Sequence, residues 1–176
     1  MRERPPRKAP AASVPPLEPI LGDEATLRRV FGSFATGVTI ATSVDELGQA
    51  VGMTASAVCA VSLDPPLVLV CVNRQARLHA VLFEHAGFTL NVLSANQQSV
   101  AERFASGVDD PFHDVAHRVL PNGVVLLEDT AAHIVCDSWG SHEAGDHTVF
   151  FGRVREGAAF DPPPLIHFRS RYTTTA

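Results

Sequence analysis

Gly52-Met53-Thr54-Ala55-Ser56-Ala57-Val58-Cys59-Ala60-Val61-Ser62-Leu63-Asp64-Pro65-Pro66 reads as a strand, a kink, a second strand and a double-proline stop. Small side chains dominate its first half, so backbone amides and hydroxyls can approach a flat ligand closely there. Upstream, Val38 to Val44 is strand-like, and Asp45-Glu46-Leu47-Gly48 supplies hairpin-turn chemistry before the run Ala50 to Val61. An antiparallel pair is expected. Downstream, Leu67-Val68-Leu69-Val70-Cys71-Val72 lacks alternation, the pattern of a strand buried on both faces, which predicts a central position.

Helical patterns flank these strands. Asp23 is placed to cap a helix whose face carries Leu27, Val30, Phe31 and Phe34 and which Gly37 would end. Asn73 stands at a cap position before Leu78, Val81, Leu82 and His85, with Ala86-Gly87 as the stop. After the strand-like Phe88 to Leu93, Ser94 and Gln97 form a capping box opening a helix through Val100, Ala101 and Phe104. Further strands are expected at Val124 to Leu127, Ala131 to Trp139, His147 to Glu156 and Leu165 to Phe168. Strands that mostly succeed one another, about seven with about three short helices, predict an α+β fold, mainly antiparallel β, as a closed or nearly closed barrel. Residues 1–20, with Pro5, Pro6, Pro10, Pro15, Pro16 and Pro19, are expected to form a Pro-rich flexible arm. Residues 21–176 form the single domain.

Composition narrows the function classes. A formal charge of -5, with lysines and arginines scattered, offers nucleic acid no basic stripe. The apolar run Leu67 to Val72 is far short of the ~20 residues that span a bilayer, and no segment resembles a signal peptide, so no membrane partner and a cytoplasmic location are expected. Hydrophobic content of 45% leaves room for an oligomer interface. Cys59, Cys71 and Cys136 lie in apolar segments and read as buried reduced thiols.

No metal site is expected from the histidines. His142 and His147 would stand about 140° apart round a helix that Gly145 breaks, so that segment reads as a loop. His113 and His117 have ligand spacing but no evident third ligand. A nucleophile elbow, a dinucleotide fingerprint and a Walker loop are all missing. What remains is a set of donors at strand ends and a helix start: Gly37-Val38-Thr39, Thr54-Ala55-Ser56, and Asn73-Arg74 with Arg77. Such donors suit an anion such as a flavin phosphate. Each also has a plain structural reading, as turn chemistry, a cap or a solvated face.

The stretch from Phe31 to Tyr172 resembles the short-chain flavin reductase family, the reductase components of two-component flavin monooxygenases. The resemblance rests on Thr-Gly-Val at 36–38, Gly-Met-Thr-Ala-Ser-Ala-Val-Cys at 52–59, Asp-Pro-Pro-Leu-Val-Leu-Val at 64–70, Phe-Thr-Leu-Asn-Val-Leu at 88–93, Ala-Glu-Arg-Phe at 101–104, Gly-Asp-His at 145–147 and Arg-Ser-Arg-Tyr at 169–172. The 52–59 segment is similar to that of 4-hydroxyphenylacetate 3-monooxygenase reductases. The resemblance implies an FMN-binding split β-barrel with flanking short helices, usually a homodimer. It implies FMN or FAD as cofactor, NADH or NADPH as hydride donor, and a separate flavin-dependent monooxygenase receiving reduced flavin by diffusion. It places His147 beside the nicotinamide as the catalytic residue. Cofactor binding is expected from Thr36, Gly37, Val38, Thr54, Ala55, Ser56, Ala57, Asn73, Arg74, Arg77, His79, Asn91, Phe104, Gly145, Asp146, Arg171 and Tyr172. One departure stands out: Ala76 and Leu78 occupy positions where the family carries hydroxyls, leaving Arg74, Arg77 or backbone amides to meet the phosphate. The alternatives are a flavin-binding module that does not turn over, or a reductase for another acceptor such as a corrinoid or ferric chelate.

Overall fold

A sheet whose two edges are joined by two residues must roll up, and that constraint shapes this molecule. The computed structural model describes residue 19, residues 22–85 and residues 87–175, so the expected Pro-rich arm, Pro19 apart, lies outside the described residues. In chain order the elements are α1 (Glu24–Phe31), β1 (Thr36–Gly37), β2 (Thr39–Val44), β3 (Ala50–Ala55), β4 (Val58–Leu63), β5 (Pro66–Asn73), α2 (Arg77–Glu84), β6 (Gly87–Val92), α3 (Gln98–Ala105), β7 (His117–Val119), β8 (Val125–Leu127), β9 (Ala132–Ala144), β10 (His147–Ala159), β11 (Leu165–Phe168) and β12 (Arg171–Thr174). The main sheet has the order β3-β2-β6-β9-β10-β5-β4, with every pairing antiparallel. β3 and β4 are its opposite edges, yet only Ser56 and Ala57 separate them. The strand, kink and strand expected along this stretch form, but the two strands lie on opposite edges, and the kink at 56–57 draws those edges together. A small sheet, β1-β11-β12, and the hairpin β7-β8 lie beside it.

The hairpin between β2 and β3 forms as expected, with Val44 opposite Ala50. β5 does not sit at the centre. It lies next to the edge, with Val68, Val70 and Val72 buried and Leu67, Leu69 and Cys71 half-buried. Its unbroken apolar run reflects one face on the core and one on a cavity, which demands apolar residues on both sides without full burial. The double proline turns the chain rather than stopping it, since Pro66 already pairs with Leu63.

All three helices are present but start or stop elsewhere than expected. Asp23 accepts from Thr26 N at 3.0 Å, but α1 ends at Phe31 because Thr36 and Gly37 are taken by pairing with β11. Phe31 at its end and Phe34 just beyond it are 68% and 79% exposed while Leu27 is half-buried, so this apolar face is only partly covered within the described residues. Asn73 does not cap α2; its Oδ1 accepts from Gln75 N at 2.8 Å, closing a turn, and Ala76 holds the cap position without a side-chain bond. Only half of the capping box forms. Gln97 Oε1 accepts from Ser94 N at 3.1 Å, while Ser94 Oγ donates to Asp129 O across the fold, and the helix begins after Gln97.

β9 runs on to Ala144, well past Trp139, and pairs with β10 from Ala144 opposite His147. The segment 142–147 is therefore a tight hairpin, not a loop. Gly145 takes φ +65, which an L side chain resists. Cys136 is buried, and that burial pushes its thiol up to about 12; Cys71 is half-buried and raised for the same reason. Cys59 departs from expectation. It is exposed on edge strand β4. No helix among the described residues is long and apolar enough to cross a membrane.

Candidate functional site

A groove follows β3 from end to end. Its widest section, about 920 Å³, is walled by Phe31, Phe34, Thr36, Ser56, Ala57, Val58, Leu69, Cys71, His147 and His167 among others. A narrow second section is bounded by Val38, Thr54, Ser56, Ala105, His167 and Tyr172. A third, about 550 Å³, lies between Val51 to Thr54, Gln75 to Arg77 and the end of α3 with Arg103 and Phe104. The fourth, about 540 Å³, is walled by Gln49, Ala50, Arg77, Asp109 to His113 and His117. Neighbouring sections share walls: Ser56 and His167, then Thr54 and Ala105, then Ala50, Arg77, Asp109 and Pro111. At about 3.3 Å per residue, β3 makes this track about 20 Å long. A flat ring system with an extended, charged tail fits that shape.

The residue types are local consequences of the strand geometry. Gly52 has no side chain because a Cβ there would come within 2.9 Å of Phe104 Cε1. Thr36, in β1, lines the wide section and buries its Oγ1 with no hydrogen-bond partner among the described residues. A buried hydroxyl left unpaired is costly, so it marks where a ligand's polar edge belongs. His147 opens β10 opposite Asn73 and lines the same section. Its Nδ1 is 2.8 Å from Asp146 Oδ1, which leaves Nε2 for the cavity. The His147 hydrogen bond, then its charge, holds the Asp146 carboxyl below the usual carboxylate range. Arg74 N donates to Asp146 O at 3.0 Å, tying the Gly145-Asp146 turn to the end of β5.

The expected site residues divide along this groove. Thr36, Ser56, Ala57 and His147 meet in the wide section; Val38, Thr54 and Tyr172 meet in the narrow one; Arg77 and Phe104 border the third. Thr54 Oγ1 is already committed, donating to Ala101 O at 2.7 Å. Tyr172 is half-buried against His167, ring centroids 5.5 Å apart, and burial raises its phenol. Gly37 is exposed in β1, Ala55 is buried in β3, and Arg171 is exposed at the start of β12.

Two expected residues are spent elsewhere. Asn91 is fully buried: its Nδ2 donates to Ile40 O at 3.1 Å and Thr42 Oγ1 at 3.0 Å, and its Oδ1 accepts from Leu127 N at 2.9 Å. It ties β6 to β2 and β8 inside the core. His79 bonds Thr148 Oγ1 at 2.9 Å and packs edge-on to Phe83 and Phe150. The departure at 78 also loses its bearing on the phosphate, because Leu78 is 1% exposed inside the core. Ala76 does line the third section. Phe31, Phe34, His167 and Arg103 belong to the groove although nothing in their spacing shows it, since they arrive from α1, the turn after it, β11 and α3.

Residues 31–176 match the flavin reductase like domain, and the chain belongs to that family. It is similar to the flavin reductase (NADH) of Kitasatospora aureofaciens, 39% identical over 160 residues, which cover 89% of this chain and 84% of the relative. It is likewise 39% identical to the reductase subunit HsaB of a flavin-dependent monooxygenase from Rhodococcus jostii, over 86% of this chain and 77% of that one. Among solved structures, an NADH:FAD oxidoreductase of Streptomyces globisporus, in complex with NAD and FAD fragments, superposes with a TM-score of 0.83 at 36% identity, covering 88% of this chain and 93% of the other. These neighbours share the mainly antiparallel architecture with few short helices.

Proposed function

We infer that this protein is an oxidoreductase that moves a hydride from NADH or NADPH to FMN or FAD and releases reduced flavin to a separate flavin-dependent monooxygenase. The observation that carries the reading is the unpaired Thr36 hydroxyl in the wall of the same section that His147 borders. The kinship with NADH-dependent flavin reductases and monooxygenase reductase subunits supports it.

Bound flavin supplies the hydride-accepting ring, chemistry that no side chain here possesses. The chain's part is to bind and orient. Phe31, Phe34, Val58 and Leu69 give the wide section apolar walls for a ring system, and Thr36 Oγ1 offers its polar edge a hydrogen bond. Arg77, at the start of α2, sets a positive charge toward the phosphate-bearing tail, with Arg103 across the third section. His147 closes the open side of the wide section, where its Nε2 meets the nicotinamide, and Asp146 fixes the ring through Nδ1. Thr54, Ser56 and Tyr172 narrow the passage between ring and tail. A chain that hands on reduced flavin must hold it loosely, because tight binding leaves the product exposed to oxygen before transfer.

Steady-state NADH and NADPH oxidation, measured with and without added FMN or FAD, tests the reading. A flavin-dependent rate is expected with at least one nicotinamide, and anaerobic NADH should bleach the oxidised-flavin band. Bound flavin that stays oxidised would instead make the protein a binding module.

The exposed side chains Val30, Phe31 and Phe34, together with exposed Cys59, leave an apolar surface around the mouth of the wide section. A second copy covers it in this reading, placing the flavin at a subunit boundary of a homodimer. Light scattering should give twice the 18.8 kDa chain mass at micromolar concentration; the single-chain mass would refute the dimer. Three free thiols and the use of a soluble nicotinamide support a cytoplasmic location in this reading.

A further inference from the structure

Between the third and fourth sections of the groove, one charge is held by another. Arg77 lines both sections, and its Nη2 lies 3.4 Å from Asp45 Oδ2. Asp45 is held in place: its Oδ1 accepts from Leu47 N at 3.0 Å and Gln49 N at 2.9 Å. The β2–β3 hairpin therefore fixes the carboxylate and leaves Oδ2 as the oxygen that meets Arg77. Asp109 borders the same two sections and adds negative charge, but among the described residues Asp45 is the carboxylate in hydrogen-bond reach of the guanidinium. Arg103, on the far wall, has its Nε committed to Pro111 O at 3.1 Å.

The Arg77 and Asp45 side chains are 63% and 21% exposed, and a single long contact in that setting is weak. A phosphate monoester engages a guanidinium bidentately and displaces such a carboxylate. Resting on the flavin reading above, we propose that Asp45 sets the affinity for phosphate-bearing flavins by competing with the flavin phosphate for Arg77. Flavin binding then exchanges one Arg77 partner for another, so part of the phosphate's attraction is offset by the contact it breaks. This keeps the ligand exchangeable without loosening the ring section, which lies beyond Thr54.

Asp45→Asn tests this cleanly, because the amide oxygen still accepts from Leu47 and Gln49 and the hairpin keeps its shape. Dissociation constants would be measured for FMN and for riboflavin, which lacks the phosphate, in the parent, Asp45→Asn, Arg77→Ala and the double variant. Asp45→Asn is expected to bind FMN about two- to fivefold more tightly with riboflavin unchanged. Arg77→Ala should reduce the preference for FMN over riboflavin, and adding Asp45→Asn to it should restore nothing. Unchanged or weaker FMN binding by Asp45→Asn overturns the proposal, as does a parallel shift for riboflavin or a full gain in the double variant. A parent that binds neither compound refutes the flavin reading itself, whereas a parent that binds both with Asp45→Asn indistinguishable refutes the competition alone.

Discussion

Asn91→Ala is expected to lower the unfolding free energy by about 3–5 kcal/mol while leaving flavin affinity per folded molecule unchanged. Asn91 is 0% exposed and serves Ile40 O, Thr42 Oγ1 and Leu127 N at once. Alanine removes the amide that serves them and admits no solvent in its place, so the buried Leu127 N–H loses its acceptor and the buried oxygens lose a donor. For a chain of this size the loss corresponds to a melting temperature lower by about 6–20 °C. Thermal unfolding beside a flavin titration at a temperature where the variant is folded checks both halves. A variant with the parent's melting temperature and weakened flavin binding would return Asn91 to the ligand site.

His147→Ala moves the opposite quantity. Its bond to Asp146 is solvent-facing, with side chains 40% and 84% exposed, so removing it should barely alter the melting curve. If Nε2 meets the nicotinamide, kcat/KM for NADH falls by about ten- to a hundredfold, or about 1.4–2.7 kcal/mol of transition-state stabilisation, with flavin affinity held. The kinetics and the melting curve separate the two roles: a destabilised variant whose activity tracks its folded fraction would make His147 a brace for the Gly145-Asp146 turn. Unchanged NADH efficiency in a folded variant would remove it from the site.

These two residues show where reading a chain residue by residue succeeds and where it stops. Both stand in stretches that carry the resemblance to flavin reductases, within the residues that match that family. Gly-Asp-His at 145–147 is a surface turn with no core to serve, and its His147 lines the open groove. Asn91 lies in a strand between hydrophobic neighbours, and nothing in Phe-Thr-Leu-Asn-Val-Leu says whether its amide meets a ligand or the two strands β2 and β8. Only the arrival of Ile40, Thr42 and Leu127 around it decides. Phe31 and Phe34 failed in the reverse sense. Helical spacing marks an apolar face correctly, but periodicity cannot say whether the surface that covers it is the chain's own core, a ligand or another subunit.

Local chemistry by itself determined the hairpin at Asp45 to Gly48, the break at Ser56-Ala57, the existence of three short helices and the mainly antiparallel class, because turn residues, caps and periodicity act within a few residues of chain. The tertiary structure alone decided that β3 and β4 are opposite edges of one sheet, that β5 faces a cavity with its second apolar side, and that Asp45 stands against Arg77. Those pairings join residues far apart in sequence, and which ones meet depends on how the whole sheet rolls to bury its Val and Leu faces. The groove is a product of that rolling: its walls come from α1, α2, α3 and both sheets, and no stretch of the chain contains it.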